Sequence, residues 1–366
     1  MALRHRPFRR AARPVRRLSA LEVVITLTDI PTEPRSAVVT ARGTRVLVVF
    51  GLLTGAAVGL GAQGNAQCNV YAAGPFGNSR EANVCNAGVD GASVFAPVAG
   101  ILITGGNPFL GATGGLGGFP HLGLTLRANA TSVVVPDFSY NAVGTIVAAK
   151  QTILAPAPLI EAALGVFRGL GHGNLALDVL GSAQLLPTTL IDDVHIDVNA
   201  RRIGSIALGL GVGARVTLLG ERQAVPAVTV SLMRRTLPRI GVGNIVGGDS
   251  YEFASDLAST EYRATVGKRI GPLDLGAGAG WSDYTAAAEI VFVNPVTRAA
   301  EPPVSLDIKD SRALVFVDGG LAFGSVYLIA EAGSQRGRDL GLVTTFMGND
   351  PAANRIFGSI GLRFGF

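Results

Sequence analysis

The chain has 366 residues, of which 48% are hydrophobic and only 16% are charged. Intrinsic disorder is excluded, because disordered chains are poor in apolar residues, and an ordinary soluble enzyme is disfavoured, because soluble domains carry about 25% charged residues. The mean hydropathy of +0.40 therefore favours a membrane protein.

The formal net charge of +5 is unevenly distributed. Residues 1–45 contain ten arginines and three acids, a balance of +7, so residues 46–366 carry −2. A basic protein often binds nucleic acid or an anionic surface. Here the basic charge belongs to one end of the chain, and we expect no nucleic-acid partner.

The amino end has the order of a secretory signal. Arg42 and Arg45 precede an uncharged apolar run over 46–60, and small residues follow over 61–67. A basic region, an apolar core and a cleavage-prone stretch together predict export, with cleavage after Gly64 or Gln67. We therefore assign 1–67 to a basic leader and signal peptide with an unusually long start. The alternative is an anchored transmembrane helix.

The segment 68–118 is rich in glycine and contains both cysteines, Cys68 and Cys85. Two cysteines in an exported chain predict one disulfide, worth roughly 3 kcal/mol in the chain-entropy model. The uncharged stretch over 91–126 is interrupted by glycines and by Pro97, so we predict no long apolar helix there. The segment is expected either to lie in the periplasm below the next domain or to plug it.

Residues 119–366 alternate with a period of two, which is typical of β-strands with two different faces. At the carboxyl end, Ile356, Ile360 and Leu362 share one face, and Arg355 and Arg363 fall on the other. Ten such stretches occur, near 121–135, 157–168, 174–186, 205–218, 226–236, 256–268, 272–284, 312–323, 325–335 and 355–366.

The connections between these stretches alternate in length. The long ones are near 136–156, 187–203, 237–250, 292–308 and 337–353, and those between them are short. Up-and-down barrels in the outer membrane have long loops on one side and short turns on the other. The sequence therefore predicts an all-β fold, a transmembrane antiparallel up-and-down β-barrel of about ten strands over 119–366, with twelve as the alternative count and a disulfide-closed amino-terminal extension.

The sequence resembles bacterial outer-membrane β-barrel proteins in its signal segment and in its last strand, which ends Ile360-Gly-Leu-Arg-Phe-Gly-Phe366. The resemblance implies residence in the outer membrane, contact with its lipid, and an assembly signal at Phe364 and Phe366 that the barrel-assembly machinery reads. It points to no subfamily, and the oligomeric state stays open. The soluble alternative is a β-sandwich, whose outward faces should carry more charge.

Within the strands, nearly balanced charges fall on the face opposite the apolar one. A narrow barrel would bring them together in its lumen, either as a selective pore lining or as structural ion pairs. The predicted lumen-lining residues are Arg127, Glu161, Asp178, Arg215, Arg235, Glu261, Arg263, Asp274, Asp318, Glu331 and Arg363.

One cluster, Asp193, His195 and Asp197, lies at the end of a long loop. A carboxylate beside an imidazole can orient a general base. Asp193 and His195 resemble the pair of the omptin outer-membrane proteases, but no second pair of acids with the family's spacing is present. We therefore predict no enzyme, with Asp193 and His195 as the only catalytic candidates, and expect neither a metal site nor a cofactor.

The sequence predicts a narrow channel or small-solute transporter. The alternatives are a non-transporting structural or surface adhesion barrel and an omptin-like protease. A general porin is disfavoured, because a wide aqueous channel needs about 16–18 strands.

Overall fold

The computed structural model describes residues 61–73, 79–112, 114–187, 194–197, 202–203 and 205–366. The signal segment before residue 61 lies outside the described residues, and export stays a prediction. Two helices open the described chain, α1 over Gly61–Ala73 and α2 over Ser79–Thr104. A disulfide joins Cys68 to Cys85, so the predicted pairing is confirmed and links α1 to α2.

Fourteen strands follow the helices in the described part of the chain. They are β1 (Leu122–Pro136), β2 (Ile146–Val147), β3 (Ala149–Phe167), β4 (Ala176–Pro187), β5 (Val194–Ile196), β6 (Arg202–Ile203), β7 (Ile206–Leu219), β8 (Ala227–Val242), β9 (Tyr251–Ile270), β10 (Leu273–Phe292), β11 (Val304–Phe323), β12 (Val326–Gln335), β13 (Thr345–Phe346) and β14 (Arg355–Gly365).

Ten of these strands form a closed barrel. Around the barrel they run β1, β3, β4, β7, β8, β9, β10, β11, β12 and β14, and β14 pairs with β1 to close it. All of these pairings are antiparallel and join strands that follow one another in the barrel. The prediction of an up-and-down barrel of ten strands is confirmed. Closure pairs the backbone groups that an open edge would expose.

The outer face of the barrel carries an apolar belt. Every barrel strand contributes at least one large, exposed apolar side chain to it, among them Leu124, Leu164, Val179, Val212, Leu232, Val266, Leu275, Val317, Leu328 and Ile360. Side chains on the other face are buried, as the two-residue alternation requires. This belt lies towards the end of the barrel where the short turns are.

Three strands continue well past the apolar belt. The strands β9, β10 and β11 have 20 residues each, whereas about 9–11 suffice to cross a membrane. Their outward side chains become polar towards the long loops, as at Glu289, Ser305 and Lys309. The stacked rings of Tyr262 and Trp281, 5.0 Å apart, lie where the change occurs. Aromatic side chains of this kind favour membrane interfaces.

This extension corrects the predicted strand limits. The sequence placed the start of the second sheet strand at 157 and the start of the eighth at 312, whereas β3 begins at Ala149 and β11 at Val304. The predicted limits followed the alternation of apolar outward residues. Beyond the belt the outward residues are polar, so that alternation fades although the backbone pairing continues.

The helix α2 lies inside the barrel, and this corrects the expectation that no long apolar helix follows the signal. It is long and apolar enough to cross a membrane, but 83% of its apolar stretch is buried within the protein. Pro97 stands inside it and removes one helical hydrogen bond. Packing in the lumen outweighs that cost and the low helix propensity of its glycines, because helices in proteins are stabilised mainly by tertiary contacts.

The chain crosses the lumen from the long-loop end to the short-turn end. Gly88 approaches Ile290 near the end of β10, Gly105 lies beside Arg127, and Gly111 lies beside Arg363 near the end of β14. We call α2 and the described residues of 105–118 the lumen segment. It reaches β1 at the short-turn end of the barrel.

The carboxylate of Asp90 holds the first half of α2 to the loop between β12 and β14. The backbone amides of Val343 and Thr344 donate to its Oδ2 atom at 3.0 and 2.7 Å, and the residue is fully buried. Burial raises the pKa of Asp90 to about 6, and the hydrogen bonds from Thr344 and Val343 offset part of that rise.

We expect Asp90→Asn to remove a pH dependence from the free energy of unfolding. Because the folded pKa lies above the ordinary value of 3.8, the stability that Asp90 contributes is complete below that value. It falls as the pH rises towards 6, by on the order of 3 kcal/mol in all. An asparagine stays neutral throughout.

Urea unfolding of both proteins at pH values from 4 to 8 measures this difference. The variant should gain stability over the wild type as the pH rises through this window, and the gain should level off above pH 7. A difference that stays constant across the window would contradict the proposed burial of an ionising carboxyl.

Candidate functional site

The candidate site is the charged part of the lumen. Each of the ten barrel strands places at least one ionisable side chain on its inner face, and all eleven predicted lumen residues are buried. Arg127 and Arg215 are among the largest fully buried side chains of the protein. Such groups require partners, because a buried charge without one is very costly.

The arginines bind the carboxyl end of α2. The Thr104 carbonyl accepts hydrogen bonds from Arg127 at 3.3 Å and from Arg235 at 3.1 Å, and the Leu102 carbonyl accepts one from Asn129 at 2.8 Å. The last carbonyls of a helix have no partner within it, and its carboxyl end carries a partial negative charge. The barrel wall therefore supplies the cap that α2 lacks.

Glu161 on β3 joins the two capping arginines. Its Oε1 atom lies 2.9 Å from Arg127 and 2.8 Å from Arg235. Arg235 also contacts Glu261 at 2.5 Å, and Glu261 lies 3.8 Å from Arg263. These five side chains, which we call the cap network, alternate in sign across β1, β3, β8 and β9.

Further wall residues bind the backbone just after α2. Glu331 accepts from the amides of Gly106 and Asn107 at 2.9 and 2.6 Å. Arg263 donates to the Gly106 carbonyl at 2.8 Å. Asp318 accepts from the Asn107 side chain at 2.8 Å. Donors and acceptors on β9, β11 and β12 thus hold the chain, which fixes its position in the lumen.

Two more ion pairs bind the lumen segment nearer the short turns. Asp178 pairs with Arg215 at 2.8 Å and accepts from the Leu116 amide at 3.2 Å. Asp274 pairs with Arg363 at 3.1 Å, and Arg363 donates to the Gly111 carbonyl. The guanidinium of Arg363 also lies 3.9 Å from the centre of the Tyr327 ring, a favourable cation–π distance.

The structure places the predicted lumen charges together, and it adds partners that the sequence did not predict. The sequence predicted that these charges meet in the lumen, either as a pore lining or as structural ion pairs, and left open whether 68–118 plugs the barrel. Some pairs join neighbouring strands, as Asp178 and Arg215 do, and others reach past two intervening strands, as Asp274 and Arg363 do. Many of the remaining donors and acceptors bind backbone groups of the lumen segment. The alternation alone predicted which face of the sheet these residues occupy. Nothing in the pattern showed that the backbone of the lumen segment would be their partner.

Sequence reasoning missed one buried cation. Arg312 on β11 pairs with Asp310 at 2.6 Å and donates to the Pro351 carbonyl at 3.1 Å. Both side chains share the inner face with Asp318. Arg312 is the first residue of the predicted stretch near 312–323, so applying the alternation to its first residue would have found it.

The protease candidates are separate from the charged lumen. His195 is exposed on the short strand β5, opposite Gly241 of β8. Asp193 lies outside the described residues. Among the described residues, no three histidine, cysteine or acidic side chains are grouped as metal ligands.

We expect Glu161→Gln to destabilise the barrel by about 3 kcal/mol. The change leaves two buried arginines sharing a weaker acceptor, and removing one partner of a buried ion pair typically costs this much. The matched control is Glu289→Gln, which breaks the exposed pair of Glu289 with Arg239 at 2.7 Å. Exposed pairs contribute at most about 1 kcal/mol.

Reversible urea unfolding in lipid vesicles measures both free energies. Equal losses in the two variants would mean that the cap network contributes no more than a surface pair.

The comparisons with known proteins find only structural likeness. No protein-family model and no curated protein matches the sequence. Similar solved structures include the outer-membrane protease OmpT from Escherichia coli, at 10% identity and a TM-score of 0.35, covering 67% of this chain and 96% of OmpT. The translocator domain of autotransporter NalP from Neisseria meningitidis has 12% identity and a TM-score of 0.38, covering 76% and 98%.

Neisserial surface protein A is also similar, at 12% identity and a TM-score of 0.24, covering 67% of this chain and 97% of its own. These proteins are bacterial outer-membrane β-barrels of several different functions. At such TM-scores the likeness gives no information about function and identifies no subfamily.

Proposed function

We propose that this protein is an outer-membrane β-barrel closed by its own amino-terminal segment, with a structural or surface role and no catalytic one. The apolar belt, the closed backbone pairing and the aromatic pair at its edge support residence in a bilayer, because only helices and closed sheets satisfy their backbone groups there. The long-loop end then faces outwards, as in barrels of this kind.

The observation that carries the closed state is the binding of the lumen segment on both sides. Arginine side chains bind its carbonyls at Thr104 and Gly106, and Glu331 binds its amides at Gly106 and Asn107. Each hydrogen bond to a charged group contributes about 1.5–3 kcal/mol. Opening a channel would break several of them at once and leave the charges of the cap network without those partners.

This argument favours the surface or structural barrel over the narrow channel. A transporter with this lumen would need a partner that replaces these contacts one for one. The protease alternative gains no support. His195 is exposed on β5, and the buried charges of the cap network lie elsewhere in the barrel.

The closed state predicts that the wild-type protein gives no steady conductance in a planar bilayer. A variant lacking residues 79–104 loses the helix and should conduct ions. A variant lacking residues 296–299, an exposed turn between β10 and β11, is the matched control and should stay silent.

Retained strand content by circular dichroism shows that each variant has folded. Steady ohmic conductance of the wild type would overturn the closed state and favour the channel.

The proposed orientation is tested with two single cysteines. Val296 is 66% exposed between β10 and β11, and Ser325 is exposed in the turn between β11 and β12. The native cysteines are paired, so each new thiol reacts alone.

In intact cells of a Gram-negative host, a maleimide attached to a large polyethylene glycol should modify V296C. S325C should react only after the outer membrane is permeabilised. The reverse order would place the long loops inside.

A further inference from the structure

The helix α2 does not fill the lumen, because it lies against one wall. Glycines let it approach β10 closely: a Cβ atom at Gly88 would overlap Ile290, and one at Gly100 would overlap the ring of Tyr284. Its main packing is with β9 and β10. A ten-stranded barrel is wider than the eight-stranded kind that side chains alone fill, so space remains on the opposite side of the helix.

That space is a cavity of about 210 Å³ between α2 and the strands β1, β3, β4, β5 and β8. The helix presents a stripe to it that includes Val94, Phe95, Val98 and Leu102, at the three- and four-residue spacing of one helical face. The facing wall includes Ile153 and Leu237. Both surfaces are built of aliphatic and aromatic carbon.

The cavity lies in the part of the barrel beyond the apolar belt. Phe253, which lines it, is nine residues along β9 from Tyr262 at the belt's edge, towards the long-loop end. Among the described residues that line the cavity, Asn349 alone has a polar side chain, and its oxygen accepts a hydrogen bond from Arg355. An apolar surface is thus maintained at the aqueous end of the molecule.

We propose that this cavity binds hydrocarbon, either a small apolar molecule or the alkyl chain of an amphiphile. An apolar cavity of about 150 Å³ in another protein stays dry and binds benzene, and this one is larger. Ala99, Ala155 and Ala157 face the space, where larger side chains would close it.

The proposal is independent of the closed state. A barrel that conducted ions could still hold an apolar ligand beside α2.

The test uses dodecanoic acid carrying a diazirine, with the full-length exported protein in lipid nanodiscs. Photolysis followed by mass spectrometry of the peptides locates the probe. We expect saturable labelling of the stripe over 94–103, reduced by excess unlabelled competitor. Dodecane competing as well as dodecanoate would identify a small apolar ligand, and stronger competition by dodecanoate would identify the chain of an amphiphile.

Ala155→Phe fills the cavity from the wall and should lower labelling of this stripe at least tenfold. Leu154→Phe is the matched control, because Leu154 is the next residue on β3 and points outwards, 72% exposed. It should leave labelling unchanged. Val98→Phe fills the same space from the helix and replaces Ala155→Phe if that protein fails to fold.

Two results would overturn the proposal. One is labelling confined to the outward residues of the apolar belt, which would show that the probe enters only the lipid. The other is equal labelling of the stripe in the filled variant and in Leu154→Phe, which would place the probe elsewhere in the lumen.

Discussion

The capping of α2 by side chains of the barrel wall is the interaction on which the rest of the structure depends. The carbonyls at the end of this helix have no partner of their own, and Arg127, Arg235 and Asn129 supply one. Those two arginines are buried, so their positive charges need negative partners, and Glu161 and Glu261 provide them. The near balance of charge within the strands follows from this chain of requirements.

The same constraint divides the lumen into two regions. Around and below the end of α2, the buried backbone of residues 104–111 leaves the helix, and ionisable side chains of the wall bind several of its amides and carbonyls. Above it, the helix satisfies its own backbone groups, so the wall is free to be apolar. There Tyr251, Phe253, Phe292 and Ile290 form one cluster with the disulfide and the first half of α2. The lumen wall is therefore charged where the enclosed backbone lacks helical hydrogen bonds, and apolar where the helix pairs its own backbone groups.

The sequence was sufficient to predict the barrel, because every strand must meet the same requirement of one face for lipid and one for the lumen. An apolar outward face and a charged inward face alternate at every second residue, so Arg363 and Leu362 could be assigned without coordinates. The helix could not be found this way: Pro97 and the glycines of α2 reduce its intrinsic propensity, and only the enclosing wall makes it stable. Strand ends beyond the belt were missed for a related reason, since polar outward residues such as Lys309 remove the contrast on which alternation depends.

The width of the barrel and the width of a helix together explain why the lumen is closed but not full. A helix is about 10–12 Å across with its side chains. The glycines at 88 and 100 allow α2 to pack closely against β10. Every step towards that wall widens the space on the other side. Filling it would take larger side chains on β3, where Ala155 and Ala157 stand. Close packing on β10 and the apolar cavity are thus two consequences of one placement of the helix.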